Sequence, residues 1–199
     1  MFDTTREYKF KVPSPNGIAE TVVKFPTDEQ WLEYHRSRRV IEKSLGRNQS
    51  EVTIVGGEQA AAKLFSSVAN GSAGKLDSSQ VEIVIDRMAS VKVESVEDEG
   101  GSYRVMLRFF AGSAAHVLKM PTAKQMKEAE AATRVIGGKF GSTEIRVNLE
   151  AFSALYGEMA ISSEGYAGPV PILHKHAAVQ AVLSELRDVM ECDAESFFS

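Results

Sequence analysis

From Tyr8 the chain alternates apolar and polar positions, with Tyr8, Phe10 and Val12 separated by Lys9 and Lys11. A period of two sends successive side chains to opposite faces of a strand. Pro13-Ser14-Pro15-Asn16-Gly17 is turn chemistry, and Thr21 to Phe25 reads as the returning strand of a hairpin. The same alternation recurs at Tyr103, Val105, Leu107 and Phe109, followed by a loop near Gly112 and a second strand from Val117 to Met120. A slip of one residue would turn either apolar set towards water, so the phase of each strand is strongly specified.

Each hairpin runs into a helix start. Pro26-Thr27-Asp28-Glu29-Gln30 and Pro121-Thr122-Ala123-Lys124-Gln125 both place a threonine three residues before a glutamine, the spacing of a capping box. Trp31, Tyr34, Ile41 and Leu45 then predict one buried face of a first helix, with Met126, Ala129, Ile136 and Phe140 as their counterparts. The patterns predict second helices over Glu58 to Ala69 and Glu150 to Ala160, and third helices over Ser79 to Met88 and His174 to Val189. The segments 70–74 and 164–169 read as loops. Ser90 to Val96 predicts a linking strand, turned at Asp98-Glu99-Gly100-Gly101 into the strand beginning at Tyr103.

Sliding the chain against itself by 95 residues lays Tyr8–Ile41 on Tyr103–Ile136 without a gap, with twelve identical pairs, against about two expected by chance. Tyr8/Tyr103, Gly17/Gly112, Pro26/Pro121, Thr27/Thr122, Gln30/Gln125 and Ile41/Ile136 are among them. Further on, Glu51-Val52-Thr53-Ile54 resembles Glu144-Ile145-Arg146-Val147. The expected fold class is therefore α+β: a tandem duplication of a β-hairpin followed by three helices, with the copies joined through a shared sheet or core. The expected boundaries are residues 1–89 for the first unit and 90–199 for the second, which includes the linking strand.

Composition narrows the function. The net charge of −4 argues against a domain that wraps nucleic acid, which usually carries a basic stripe. No apolar run approaches the ~20 residues that cross a bilayer, and the first residues have no apolar core of a secretory signal. Cys192 is the single cysteine, so no internal disulfide forms, which fits a reducing cytoplasm.

Candidate chemistry is sparse. Gly71-Ser72-Ala73-Gly74-Lys75 lacks the first glycine and the hydroxyl residue of a phosphate loop. His174 and His176 share a face only on a strand, and the pattern there predicts a helix start. Asp28-Glu29 and Asp98-Glu99 sit at a helix start and a turn, where carboxylates have ordinary structural roles. No Ser/His/Asp order, cofactor motif or metal-ligand spacing emerges, and the expectation is a chain that is not an enzyme. One basic cluster stands out: Arg36, Arg39 and Lys43 are expected on one helix face, as a possible partner-binding surface. Only Arg39 has a basic counterpart, Arg134, at the shifted position.

The order hairpin, returning strand, Pro-Thr-x-x-Gln, helix resembles bacteriophage tail-assembly chaperones, over Tyr8–Gly46 and Tyr103–Gly141. The resemblance implies a non-catalytic protein that binds tail or capsid components in the host cytoplasm or the virion, without a membrane. The chain departs from that family in carrying the unit twice and in its length, which admits a minor tail, neck or capsid component instead. The alternatives are an enzyme with a site between the two units, and a nucleic-acid-binding module using Arg36, Arg39 and Lys43.

Overall fold

The computed structural model describes residues 1–15, 17–46, 49–70, 76–137 and 142–196. The chain is α+β, with six helices and antiparallel sheets among the described residues. It forms two compact units that are discontinuous in sequence. The amino-proximal unit takes Asp3–Ser90 and Ala132–Asn148. The carboxy-proximal unit takes Met1–Phe2, Val91–Ala131 and the chain from Leu149. A segment of sequence and a unit of packing are thus different things here. None of the described helices is long and apolar enough to cross a membrane.

In the amino-proximal unit, β1 (Glu7–Ser14) and β2 (Gly17–Lys24) pair antiparallel, with Tyr8 opposite Val23 and Val12 opposite Ala19. The expected alternation is present: Phe10, Val12 and Val23 are buried while Lys9 and Lys11 are exposed. Helix α1 (Asp28–Ser37) begins with a capping box. The Thr27 hydroxyl accepts from Gln30 N at 3.2 Å, and the Gln30 amide oxygen accepts from Thr27 N at 2.8 Å. Thr27→Ala should cost about 0.5–2 kcal/mol in thermal or urea unfolding, since the Gln30 N–H at the helix start loses its side-chain acceptor. Trp31 and Tyr34 face the core from α1.

Helix α1 is shorter than the apolar spacing predicts. Arg38 is extended, and Arg39–Gly46 forms strand β3, which pairs with β4 (Gln49–Val55). Ile41 therefore belongs to a strand, and Leu45 falls in that strand too, so the expected four-residue helix face is reduced to Trp31 and Tyr34. Val40 and Ile41 are β-branched, which disfavours helix through restricted χ1. They meet Ile54 and Thr53 across the ladder, where such side chains fit a pleated surface. The corresponding helix α4 (Ala123–Ala132) likewise gives way to β8 (Thr133–Gly137), which contains Ile136. Phe140 lies outside the described residues, as does the 71–75 glycine stretch.

Helix α2 (Gly57–Val68) follows β4 through Gly56, whose φ is +77°. A Cβ there would lie 3.0 Å from the Ser37 carbonyl oxygen, so this turn requires glycine. Helix α3 (Ser78–Ala89) has its own capping box at Asp77 and Gln80. Gln80 Nε2 also donates to the Pro13 carbonyl at 2.7 Å, tying α3 to β1.

In the carboxy-proximal unit, β5 (Val91–Asp98) turns at Glu99–Gly101 into β6 (Ser102–Phe109), as the linking-strand reading expects. Strand β7 (Gly112–Lys119) follows, and the sheet closes on β10 (Ala160–Glu164), giving the order β10-β7-β6-β5. The segment after α5 (Leu149–Met159) is thus partly strand, where the pattern predicts a helix end and loop. Tyr103, Val105, Leu107 and Phe109 are buried on β6. Helices α5 and α6 (Ile172–Ser196) cover the sheet. Cys192 lies on α6.

Candidate functional site

The amino-proximal unit contains a second sheet, of order β4-β3-β9-β8, where β9 is Ser142–Val147. It joins a hairpin from residues 39–55 to one from residues 133–147, with β3 antiparallel to β9. Residues paired in register point to the same face. Ile54, Val40 and Ile145 stand directly opposite one another, and Val52, Glu42 and Thr143 form the next row. That face is mostly β-branched and apolar.

Among the described residues, this sheet has no core of its own. None of its residues whose burial is described is buried, and Val52 and Ile54 are 59% and 50% exposed. An antiparallel sheet ordinarily has one face packed on a core and the other solvated. Val40 and Ile145 are half-buried, and with the exposed Ile54 and Val52 they make an apolar surface of the kind that associates with something else.

The opposite face is charged. Arg39, Ile41 and Lys43 share it with Thr53, Val55 and Glu144. Arg39 Nη1 lies 4.0 Å from Glu144 Oε2, and Arg146 Nε donates to Glu144 Oε1 at 2.7 Å. The expected basic helix face is therefore corrected. Arg36 sits in the last turn of α1, while Arg39 and Lys43 are on a strand beside a carboxylate. Strand geometry separates them from Arg36 because α1 ends between them.

A pocket of about 440 Å³ borders the apolar row. Ile54 lines it together with Tyr34, Arg38, Glu58, Glu82 and Asp86. Arg38 is already engaged: its Cζ lies 4.6 Å from the Tyr34 ring centroid, and its Nη1 donates to the Tyr34 hydroxyl at 3.2 Å. Burial raises the Tyr34 hydroxyl pKa, Arg38 opposes that shift, and Asp86 and Glu82 reinforce it. Glu58, Glu82 and Asp86 make no ion pair among the described residues.

The carboxy-proximal unit gathers two histidines and two tyrosines into a hydrogen-bonded chain in its interior, and local sequence does not announce this. His116 Nδ1 is 2.8 Å from the Tyr156 hydroxyl, His116 Nε2 is 3.0 Å from the Tyr166 hydroxyl, and that hydroxyl is 2.9 Å from His174 Nδ1. His116 and His174 are fully buried. Gly165 makes the arrangement possible, with φ +99° and a would-be Cβ 2.9 Å from the Ser113 carbonyl. Its own carbonyl accepts from Phe2 N at 2.6 Å, and Phe2 stacks on His174 at 5.6 Å. Burial pushes His116 and His176 down to about 4. Burial, then the neighbouring His116, pushes His174 down to about 3.

All three imidazoles are therefore neutral near pH 7, and a neutral ring has one N–H and one lone pair. The Tyr166 hydroxyl can donate to one histidine only while it accepts from the other, so the three bonds run in a single direction. A second proton placed on the nitrogen that accepts from Tyr166 would face its oxygen with two N–H donors and leave its hydrogen without an acceptor. The arrangement orders the core, and among the described residues no three His, Cys, Asp or Glu side chains gather in a metal-binding group. The signals in sequence were the apolar neighbours of His116 on β7 and the His174 position at a helix start, but neither reveals Tyr156 or Tyr166 as partners. Compared with known proteins, the chain matches no family model, no curated protein and no solved structure.

Proposed function

We propose that this chain is a non-catalytic protein-binding protein of an assembly or structural system, and that the β4-β3-β9-β8 sheet is where it binds. The observation that carries this reading is the Ile54–Val40–Ile145 row, an aliphatic row in a sheet none of whose residues of described burial is buried. Covering such a face contributes about 25 cal/mol for each Å² of apolar surface removed from water. The opposite, charged face then remains solvated.

We read the chain as a tandem duplication, and a regular spacing of matching elements supports that reading. Strand β1 begins at Glu7 and β6 at Ser102, β2 at Gly17 and β7 at Gly112, α1 at Asp28 and α4 at Ala123, a constant spacing of 95 residues. In this reading the binding sheet is composite, one hairpin from each copy, and neither copy builds it alone. The resemblance of Pro26-Thr27-x-x-Gln30 and Pro121-Thr122-x-x-Gln125 to phage tail-assembly chaperones favours a tail, neck or capsid component as the partner class.

The test is recovery of the native complex from the organism that makes the protein, with mass spectrometry of what co-purifies. A morphogenetic protein is expected. Ile54→Asp should lower its recovery about tenfold or more, equivalent to about 1.4 kcal/mol, with the circular dichroism spectrum unchanged because residue 54 is half exposed. A wild-type protein that purifies alone, absent from particles and assembly intermediates, would overturn the proposal.

A further inference from the structure

We propose that the partner covering the Ile54–Val40–Ile145 row is a protein segment with a lysine or arginine beside apolar side chains. The basic group enters the pocket bounded by Glu58, Glu82 and Asp86. This rests on the reading of the sheet as a binding surface and names the chemistry of what it binds. Ile54 belongs to both features: it stands in the apolar row and lines the pocket. A side chain laid on the row is therefore next to a cavity of about 440 Å³.

The pocket has the wrong charge for an acidic guest and room for a basic one. Three carboxylates line it against a single guanidinium. Arg38 is held over Tyr34 and bonded to its hydroxyl, so its charge is tied to the wall. Glu82 and Asp86 are four residues apart on α3 and share one helix face. Like charges at that spacing repel, and a cation between them relieves the repulsion. An alkyl stem from the same guest can lie along Ile54, as long basic side chains do on apolar surfaces.

The experiment titrates the isotopically labelled full chain with three capped probes, followed by amide shifts of Gly56 and Gly57. The first is N-acetylarginine methylamide. The second is a tetrapeptide with arginine followed by valines at alternate positions, matching the two-residue period of a strand. The third has glutamate in place of arginine. The arginine probe should shift both amides saturably, and the valines should tighten binding about tenfold or more. Glu82→Gln with Asp86→Asn should weaken both arginine probes by about tenfold or more, with added salt acting the same way. Ile54→Asp should remove the gain from the valines.

Equal binding by the glutamate probe, or indifference to the double substitution, overturns the basic-partner inference. If no arginine probe binds while Ile54→Asp still disrupts the native complex, this inference fails and the binding role of the sheet survives. If the valines add nothing and Ile54→Asp leaves the native complex intact, the sheet reading itself fails.

Discussion

Lowering the pH from 7 to 5 should destabilise the fold by on the order of 5 kcal/mol, and the protein should unfold on further acidification. His116, His174 and His176 carry this effect. An unfolded histidine titrates near 6.5, whereas burial holds these three at about 4, about 3 and about 4. Between those values the unfolded chain binds more protons than the folded one, so unfolding takes up protons and stability rises with pH. Stability is complete above about pH 6.5 and is lost as the pH falls towards 4. Each histidine contributes about 2 kcal/mol of that loss by pH 5, and the total rivals the ~5–15 kcal/mol stability of an ordinary domain. Asp77 and Glu20, whose carboxyls are held below their usual range by Gln80 and by Lys9 respectively, act only at lower pH.

Urea midpoints between pH 7.5 and 5 measure the dependence directly. A flat profile would show that the three imidazoles are not held neutral by burial. His116→Phe should remove about one proton from the slope. It should also cost about 1–3 kcal/mol at pH 7, because the Tyr156 and Tyr166 hydroxyls each lose a buried partner.

Trp31→Ala should cost about 3–5 kcal/mol, the largest loss from a single side chain in the amino-proximal unit. Trp31 is fully buried, with Phe25 and Tyr34 each 5.8 Å away ring to ring. Removing the indole leaves a void that the packed surroundings refill only in part. The indole N–H has no hydrogen-bond partner among the described residues. Trp31→Phe therefore sacrifices packing alone and should cost less than half as much. Because Trp31 is the single tryptophan, its fluorescence reports wild-type unfolding, and far-ultraviolet circular dichroism compares the variants. Equal stability of wild type and Trp31→Ala would mean that the indole is not the centre of this core.

The chain's local chemistry determined a good deal by itself. Alternation at Tyr8, Phe10 and Val12 and at Tyr103, Val105 and Leu107 marks strands because a period of two is a property of one strand alone. The Thr27/Gln30 and Thr122/Gln125 pairs mark helix starts because a capping box closes over three residues. The linking hairpin from Val91 is legible for the same reason: its strands are neighbours in sequence and its turn is glycine-rich.

Tertiary structure decided the rest, where a partner far along the chain outweighs local spacing. Ile41 and Leu45 fit the helical stripe begun by Trp31 and Tyr34, yet pairing of β3 with β4 and β9 makes 39–46 a strand. Arg36, Arg39 and Lys43 lost their common face by the same event. His116 meets Tyr156, Tyr166 and His174 through three separate elements. The Ile54 row beside the Glu58, Glu82 and Asp86 pocket exists only once strands and helices from distant segments are side by side. A sequence specifies what each segment can do alone, and strand pairing and burial are properties of the segments it meets.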